Sequence, residues 1–269
     1  MTPYGNQMKL SQPSKALHPP LVYKYYGRSK AYSDLAFEQL IVHSKVFFPG
    51  VKSFNDPFDC QLIPDFTGDY SDKFNFVRGM VLSTPSVCSD IEDRISRNLK
   101  FCADPGGDNR MLDVIRDTAD QYGILSLSED PLSMEMWSYY ADGHEGLCFC
   151  FDWTKRNLQS FQLLKMEYSA NYPVIKFYQM DFNDAVAALV KTKAESWAHE
   201  KEWRIVAPNM AGQYLQIPEG ALTGIILGLK CPDTLERLVR DWNDGRVQPA
   251  NILRIKRKPM SFELELAPA

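Results

Sequence analysis

An α+β fold follows from three observations. Aromatic and β-branched runs recur along the chain, amphipathic helical stretches lie between them, and no internal repeat is present. With 269 residues, 45% of them apolar, there is enough material for one large core. The expectation is a single domain over residues 21–269, with a central mixed or antiparallel sheet and a helical insertion at about residues 71–121. Residues 1–20 are polar, carry prolines and show no periodicity, so they are expected to form a flexible N-terminal arm.

Leu21-Val-Tyr-Lys-Tyr-Tyr26 is aromatic and β-branched and stops at Gly27, which reads as the first strand. Ser33 is an N-cap for a helix running to Val42, and Lys45-Val-Phe-Phe48 is a short strand. Residues 49–59 are rich in turn formers and read as a structured loop. Residues 71–121 are helical in composition, broken near Pro85 and by Asp104-Pro-Gly-Gly107. A strand at 124–128 follows, then a helix at 131–141 with Met134, Trp137 and Tyr140 at helical spacing, and a strand at 147–151. Strands are expected within 162–168 and 174–177, and an amphipathic helix over 184–198. Strands at 202–206 and 224–227, a helix at 232–242, and strands around Ile252 and Phe262 complete the chain. The strands 21–26, 124–128, 147–151, 202–206 and 224–227 are expected to share one sheet.

The net charge of −4 gives no global basic field to hold nucleic acid or an anionic membrane. Arg254-Ile-Lys-Arg-Lys258 is the clearest local basic patch and reads as a solvated strand edge. The six cysteines show neither paired C-x-x-C spacing nor zinc-type His spacing, so reduced structural thiols are expected, with Cys148 and Cys150 in a buried strand. No signal-like segment and no apolar run of membrane-spanning length is visible, and a cytoplasmic location is expected.

The chemistry concentrates in Trp197-Ala-His-Glu-Lys-Glu-Trp-Arg-Ile205. In a strand successive side chains alternate, so Glu200 and Glu202 are expected on one face and Lys201 and Trp203 on the other. Two carboxylates held close resist joint ionisation, which suits a pair that handles a proton or steadies a developing positive charge. Ion pairing with Lys193, Lys201 and Arg204 is the structural alternative. Asn55-Asp56-Pro57-Phe58-Asp59 has the residues of an ordinary turn; the functional alternative makes Asn55, Asp56 and Asp59 hard oxygen ligands. His144, in Gly143-His-Glu-Gly146, reads as a turn residue whose glycines also permit close approach of a ligand.

Five signatures fall in order: Tyr23-Lys-Tyr25, Phe54-Asn-Asp-Pro-Phe58, Leu125-Ser-Leu-Ser-Glu129, Met136-Trp-Ser-Tyr-Tyr-Ala-Asp-Gly-His-Glu-Gly-Leu-Cys148 and Trp197–Ile205. Together, over about residues 21–230, they resemble a prokaryotic family catalogued as domain of unknown function two-nine-seven-one. That resemblance supplies no chemistry. Its aromatic-basic opening, often K-Y-R, is Lys24-Tyr25-Tyr26 here, so an arginine role at Tyr26 is absent unless Arg28 substitutes.

The chain also resembles ADP-ribosyltransferases, whose order is a basic or His residue on a first strand, a Ser-x-Ser strand and an E-x-E strand. Lys24 or Arg28, Ser126-Leu-Ser128 and Glu200-Lys-Glu202 match these elements. The resemblance implies a split sheet and NAD as substrate. It gives Glu202 the support of an oxocarbenium-like transition state, and Glu200 the orientation or deprotonation of the acceptor. It further implies one cleft in which Tyr23, Tyr25, Trp137 and Tyr140 stack on rings and Lys24 and Arg204 meet phosphate or ribose oxygens, with Asn55, Asp56, Ser126 and Ser128 completing the NAD-binding set. Core packing is the structural alternative for Trp137 and Tyr140. No metal is expected in this reading. The partners expected are a nucleotide substrate and a protein or nucleic-acid acceptor, as for a toxin or phage-defence effector. Two alternatives stay open: a metal-dependent nuclease using Asp56, Asp59, Glu200 and Glu202, and a non-catalytic nucleotide-binding or sensor module.

Overall fold

A computed structural model describes residues 21–28, 33–83, 90–103, 107–152, 162–180, 182–218 and 220–269. The expected N-terminal arm and the breaks at Pro85 and residues 104–106 lie outside these. In chain order the elements are β1 (Leu21–Tyr26), α1 (Ser33–Ile41), β2 (Lys45–Phe48), β3 (Ile63–Asp65), α2 (Tyr70–Ser83), α3 (Ile91–Ala103), α4 (Gly107–Asp120), β4 (Gly123–Ser128), α5 (Met134–Tyr140) and β5 (Leu147–Asp152). There follow β6 (Gln162–Lys165), β7 (Glu167–Ser169), β8 (Val174–Lys176), α6 (Phe182–Lys191), β9 (Thr192–Ala194), β10 (Glu202–Ala207), β11 (Gln213–Gln216), β12 (Leu222–Leu227), α7 (Asp233–Asp244), β13 (Asn251–Arg257) and β14 (Leu264–Pro268).

The chain divides into two compact units. One combines residues 17–50, 123–166 and 196–269 and holds an eight-stranded sheet in the order β14-β13-β12-β5-β1-β4-β10-β6. All five strands expected to be central belong to it. The sheet is mixed: β12 and β13 run parallel, linked by α7, and the other neighbours run antiparallel. Residue size sorts its two faces. In β5, Leu147, Phe149 and Phe151 alternate onto one face, where they pack with Phe37 and Leu40 of α1 and with Leu235 and Val239 of α7. Cys148 and Cys150 turn to the other face, and their small side chains leave room there for Tyr23, Tyr25 and α5.

The connection from α5 to β5 is tightly built. Asp142, Gly143 and His144 all have positive φ. A Cβ on Gly146 would lie 2.1 Å from the Tyr26 carbonyl oxygen, so this position admits only glycine. The G-H-E-G signature is therefore a packing requirement: His144 stacks on Trp137 and its carbonyl accepts from the Lys230 N–H.

The second unit combines residues 51–122 and 167–195. It contains α2, α3, α4 and α6, which contact one another, and two parallel strand pairs, β3 with β8 and β7 with β9. The helical segment expected at 71–121 is α2 to α4, and it shares its unit with 167–195.

Three local expectations are corrected. The helix expected over 184–198 ends at Lys191, because β9 and then a 3-10 turn, Glu195–Glu200, follow directly. The basic run at 254–258 is not a sheet edge, since β14 covers β13; Arg254 pairs with Glu236. The strand expected around Phe262 is β14, which begins only at Leu264, and Phe262 is 94% exposed in the turn before it. No described helix is long and apolar enough to cross a membrane.

Candidate functional site

On the α5 face of the sheet the register aligns three strands. Tyr23 is paired with Ser128, and Ser128 with Glu202. One pleat further, Arg204 is paired with Ser126. Alternation puts Tyr23, Tyr25, Ser126, Ser128, Glu202 and Arg204 on one face. Trp203, Ile205 and Ala207, between them on β10, enter the opposite core.

Glu202 and Arg204 form a buried, two-pronged ion pair. Arg204 Nε donates to Oε1 at 2.8 Å and Nη2 to Oε2 at 3.3 Å, with side chains 1% and 4% exposed. Glu200 reaches its position differently. It closes the 3-10 turn, and Lys201 after it has φ +46°. The strand thus begins only at Glu202, and the alternation expected to align the two acids does not apply. Glu200 is nevertheless 3% exposed; its Oε1 accepts from the Tyr140 hydroxyl at 2.6 Å, and its backbone carbonyl from Ser128 Oγ at 2.7 Å.

Ser128 therefore ties the end of β4 to the acid turn. Its Oγ also accepts from the Asp130 N–H at 3.1 Å. Asp130 is an organising residue that the sequence reading missed: its carboxylate accepts from Lys201 Nζ at 2.9 Å and its carbonyl from the Tyr25 hydroxyl at 2.5 Å. Its signal was the Ser-x-Asp-Pro turn chemistry of residues 128–131. Glu129 was missed too; it accepts from Trp203 Nε1 at 2.5 Å and from Lys165 at 3.0 Å.

The other expected binding residues differ in exposure and in the face they occupy. Trp137 is fully buried, set edge-on against Tyr25 with centroids 5.2 Å apart, and its Nε1 donates to the Pro131 carbonyl. Tyr25 is 4% exposed. Both are core, because the small Cys148 beside them leaves space that large rings fill, so neither offers a free face to a cofactor. Lys24 belongs to the opposite face by alternation, and its ammonium stands 5.6 Å from the Tyr26 ring, itself packed on Phe37 and Phe149. Arg28, the alternative basic residue, is paired with Asp34 at 3.2 Å. Tyr23 and Tyr140 keep partly exposed rings. Burial, then the neighbouring Cys150, pushes the Tyr23 hydroxyl up to about 12, so it stays protonated at neutral pH.

Asn55, Asp56 and Asp59 belong to the unit of residues 51–122 and 167–195. Asp56 Oδ1 accepts from the Phe58 N–H at 2.9 Å, the turn role expected of it, and Asn55 is exposed. Asp59 is buried beside Lys193. Among the described residues no group of three or more His, Cys, Asp or Glu side chains is arranged to hold a metal ion.

Residues 136–205 match the model of a family described as Protein of unknown function (DUF2971). The match takes in two of the five signatures, those at 136–148 and 197–205. No curated protein and no solved structure matches the chain.

Proposed function

We propose that the Glu200–Glu202 site performs glycosyl transfer of the ADP-ribosyltransferase type, consuming NAD. The observation that supports this most directly is the strand register, which sets Ser128 of the Ser-x-Ser strand beside Glu202 of the E-x-E segment while Glu200 hydrogen-bonds Tyr140 next to them.

In this reaction the bond between nicotinamide and ribose C1′ breaks and nicotinamide leaves with the electron pair. A lone pair of the acceptor then forms the new bond to C1′, and its proton passes to Glu200. Arg204 orients the Glu202 carboxylate through two hydrogen bonds, which suits a carboxylate set beside a developing cation. The Tyr140 hydroxyl orients Glu200 for the acceptor. Tyr23 and Tyr140 offer the partly exposed rings for a flat base. Such an enzyme suits a toxin or phage-defence effector that depletes NAD or modifies a macromolecule.

Nicotinamide release from NAD by the purified protein, with and without candidate protein and nucleic-acid acceptors, tests the proposal. Release by wild type is expected, with kcat falling by roughly 100-fold or more in Glu202→Gln at little-changed KM. Glu202→Gln also weakens a buried ion pair, so its rate is read at a temperature where it remains folded by circular dichroism. Wild-type protein that neither binds NAD nor releases nicotinamide overturns the reading.

A further inference from the structure

Glu200 and Tyr140 come from separate stretches of the chain, and neither element alone sets the 2.6 Å between Glu200 Oε1 and the Tyr140 hydroxyl. Tyr140 closes α5, and Glu200 closes the 3-10 turn before β10. One carboxylate reaches the approach to both. Asp130 Oδ1 accepts from the Leu132 N–H at 2.8 Å, on the way into α5, while Oδ2 accepts from Lys201 Nζ at 2.9 Å, on the residue after Glu200. The Asp130 backbone adds a second link. Its N–H donates to Ser128 Oγ at 3.1 Å, and that hydroxyl donates to the Glu200 carbonyl at 2.7 Å. The Asp130 carbonyl accepts from the hydroxyl of the buried Tyr25, which ties the loop to β1. All of these residues lie within the sheet unit.

Lys201 is the residue that needs such a tie. Its φ of +46° is left-handed, a conformation that side chains with a Cβ adopt only where their surroundings support it. Its N–H donates to the Ala198 carbonyl at 3.2 Å and its carbonyl accepts from the Glu129 N–H at 3.1 Å. The hydrogen bond to Asp130 comes on top of these and raises the ammonium above its ordinary pKa. The Lys201 and Asp130 side chains are 55% and 27% exposed, so their pair adds little to global stability. Its use lies in where it stands. Displacing a reacting group by about 1 Å costs roughly 100-fold in rate, so a weak tie between two converging elements can matter more to chemistry than to folding.

We propose that Asp130 is a positioning residue for the acid site: it sets Glu200 against Tyr140 by holding Lys201 with one carboxylate oxygen and the entry to α5 with the other. The consequence for turnover rests on the glycosyl-transfer reading, whereas the positioning itself does not.

Urea unfolding tests the positioning without reference to turnover. Tyr140→Phe is expected to lower the midpoint in wild type and to lower it by about half as much or less in Asp130→Ala or Lys201→Met, where Glu200 is no longer set against the hydroxyl. Methionine keeps the unbranched stem of lysine and removes only the charge; Lys201→Arg keeps the ion pair and restores the full effect of Tyr140→Phe. In nicotinamide release from NAD, Asp130→Ala and Lys201→Met are each expected to lower kcat by roughly tenfold with KM little changed, and Lys201→Arg to turn over like wild type. Additive midpoints overturn the proposal, and so does a kcat that both variants leave at the level of an active wild type. Wild type that releases no nicotinamide overturns the glycosyl-transfer reading alone, and the unfolding series still decides the positioning.

Discussion

Glu202 carries two burdens at once, and this governs what its substitution reports. Its carboxylate is proposed to act on substrate, yet it also neutralises Arg204 inside the sheet. Removing one partner of a buried ion pair costs about 3–5 kcal/mol, far more than losing an exposed pair. Glu202→Gln should therefore lower the midpoint of urea unfolding sharply, and an unchanged midpoint would show the pair to be energetically idle. Tyr140→Phe should be milder: it removes one hydrogen bond to a buried carboxylate, worth about 1.5–3 kcal/mol, and leaves the Arg204 pair intact. Calorimetry of the two variants side by side checks the order. At this scale the sequence was informative about identity and less so about geometry. Motif order singled out the acids, Ser128 and Tyr140, and the structure places these four side chains next to one another. Trp137 and Tyr25 were misread because nothing in a motif says whether a ring faces a cleft or a core.

The first strand shows what an element adds to its residues. Tyr23, Tyr25 and Tyr26 all have hydroxyls pushed up from about 10, chiefly by burial, Tyr23 to about 12. Folded pKa values above the unfolded value mean that the unfolded chain gives up these protons first. Their contribution is complete below about pH 10 and is lost as pH rises toward the folded values. Stability measured between pH 9 and pH 12 should fall in that window, with the tyrosinate absorbance of these residues appearing only as β1 detaches. Glycines divide by element in the same way. Gly146→Ala forces a Cβ onto the Tyr26 carbonyl and should abolish soluble expression or cut stability by several kcal/mol. Gly79→Ala within α2, where a Cβ meets nothing within 4 Å, should stabilise by about 0.8–1 kcal/mol. Strand alternation made the five central strands legible. The helix expected over 184–198 failed beyond Lys191, since apolar spacing cannot distinguish a helix from a three-residue strand followed by a 3-10 turn.

The chain has two compact units, and its thiols report on them separately. Cys60 is buried in the unit of residues 51–122 and 167–195, and Cys148, Cys150 and Cys231 are buried in the sheet unit. Burial raises the Cys148, Cys150 and Cys231 thiols, the last to about 11, which leaves little thiolate at neutral pH. In a background with Cys88 and Cys102 changed to serine, a thiol reagent should label none of the four in native buffer. The urea dependence of labelling should then give one unfolding curve for Cys60 and another for the sheet thiols, resolved by mass spectrometry of the peptides; rapid native labelling would contradict the burial. The division into two units was not legible in the sequence, because the second unit is assembled from stretches far apart in the chain whose short parallel strands leave no alternating pattern.

Lys201, with its left-handed backbone, divides the two acids between different kinds of support. Glu202 is secured by ladder hydrogen bonds shared with its neighbours on both sides, whereas Glu200 depends on a single turn latched by Ser128 and Tyr140. A protein with every strand intact can thus have lost half of its acid pair. Circular dichroism would record it as native, and calorimetry would register the missing hydrogen bond to Glu200.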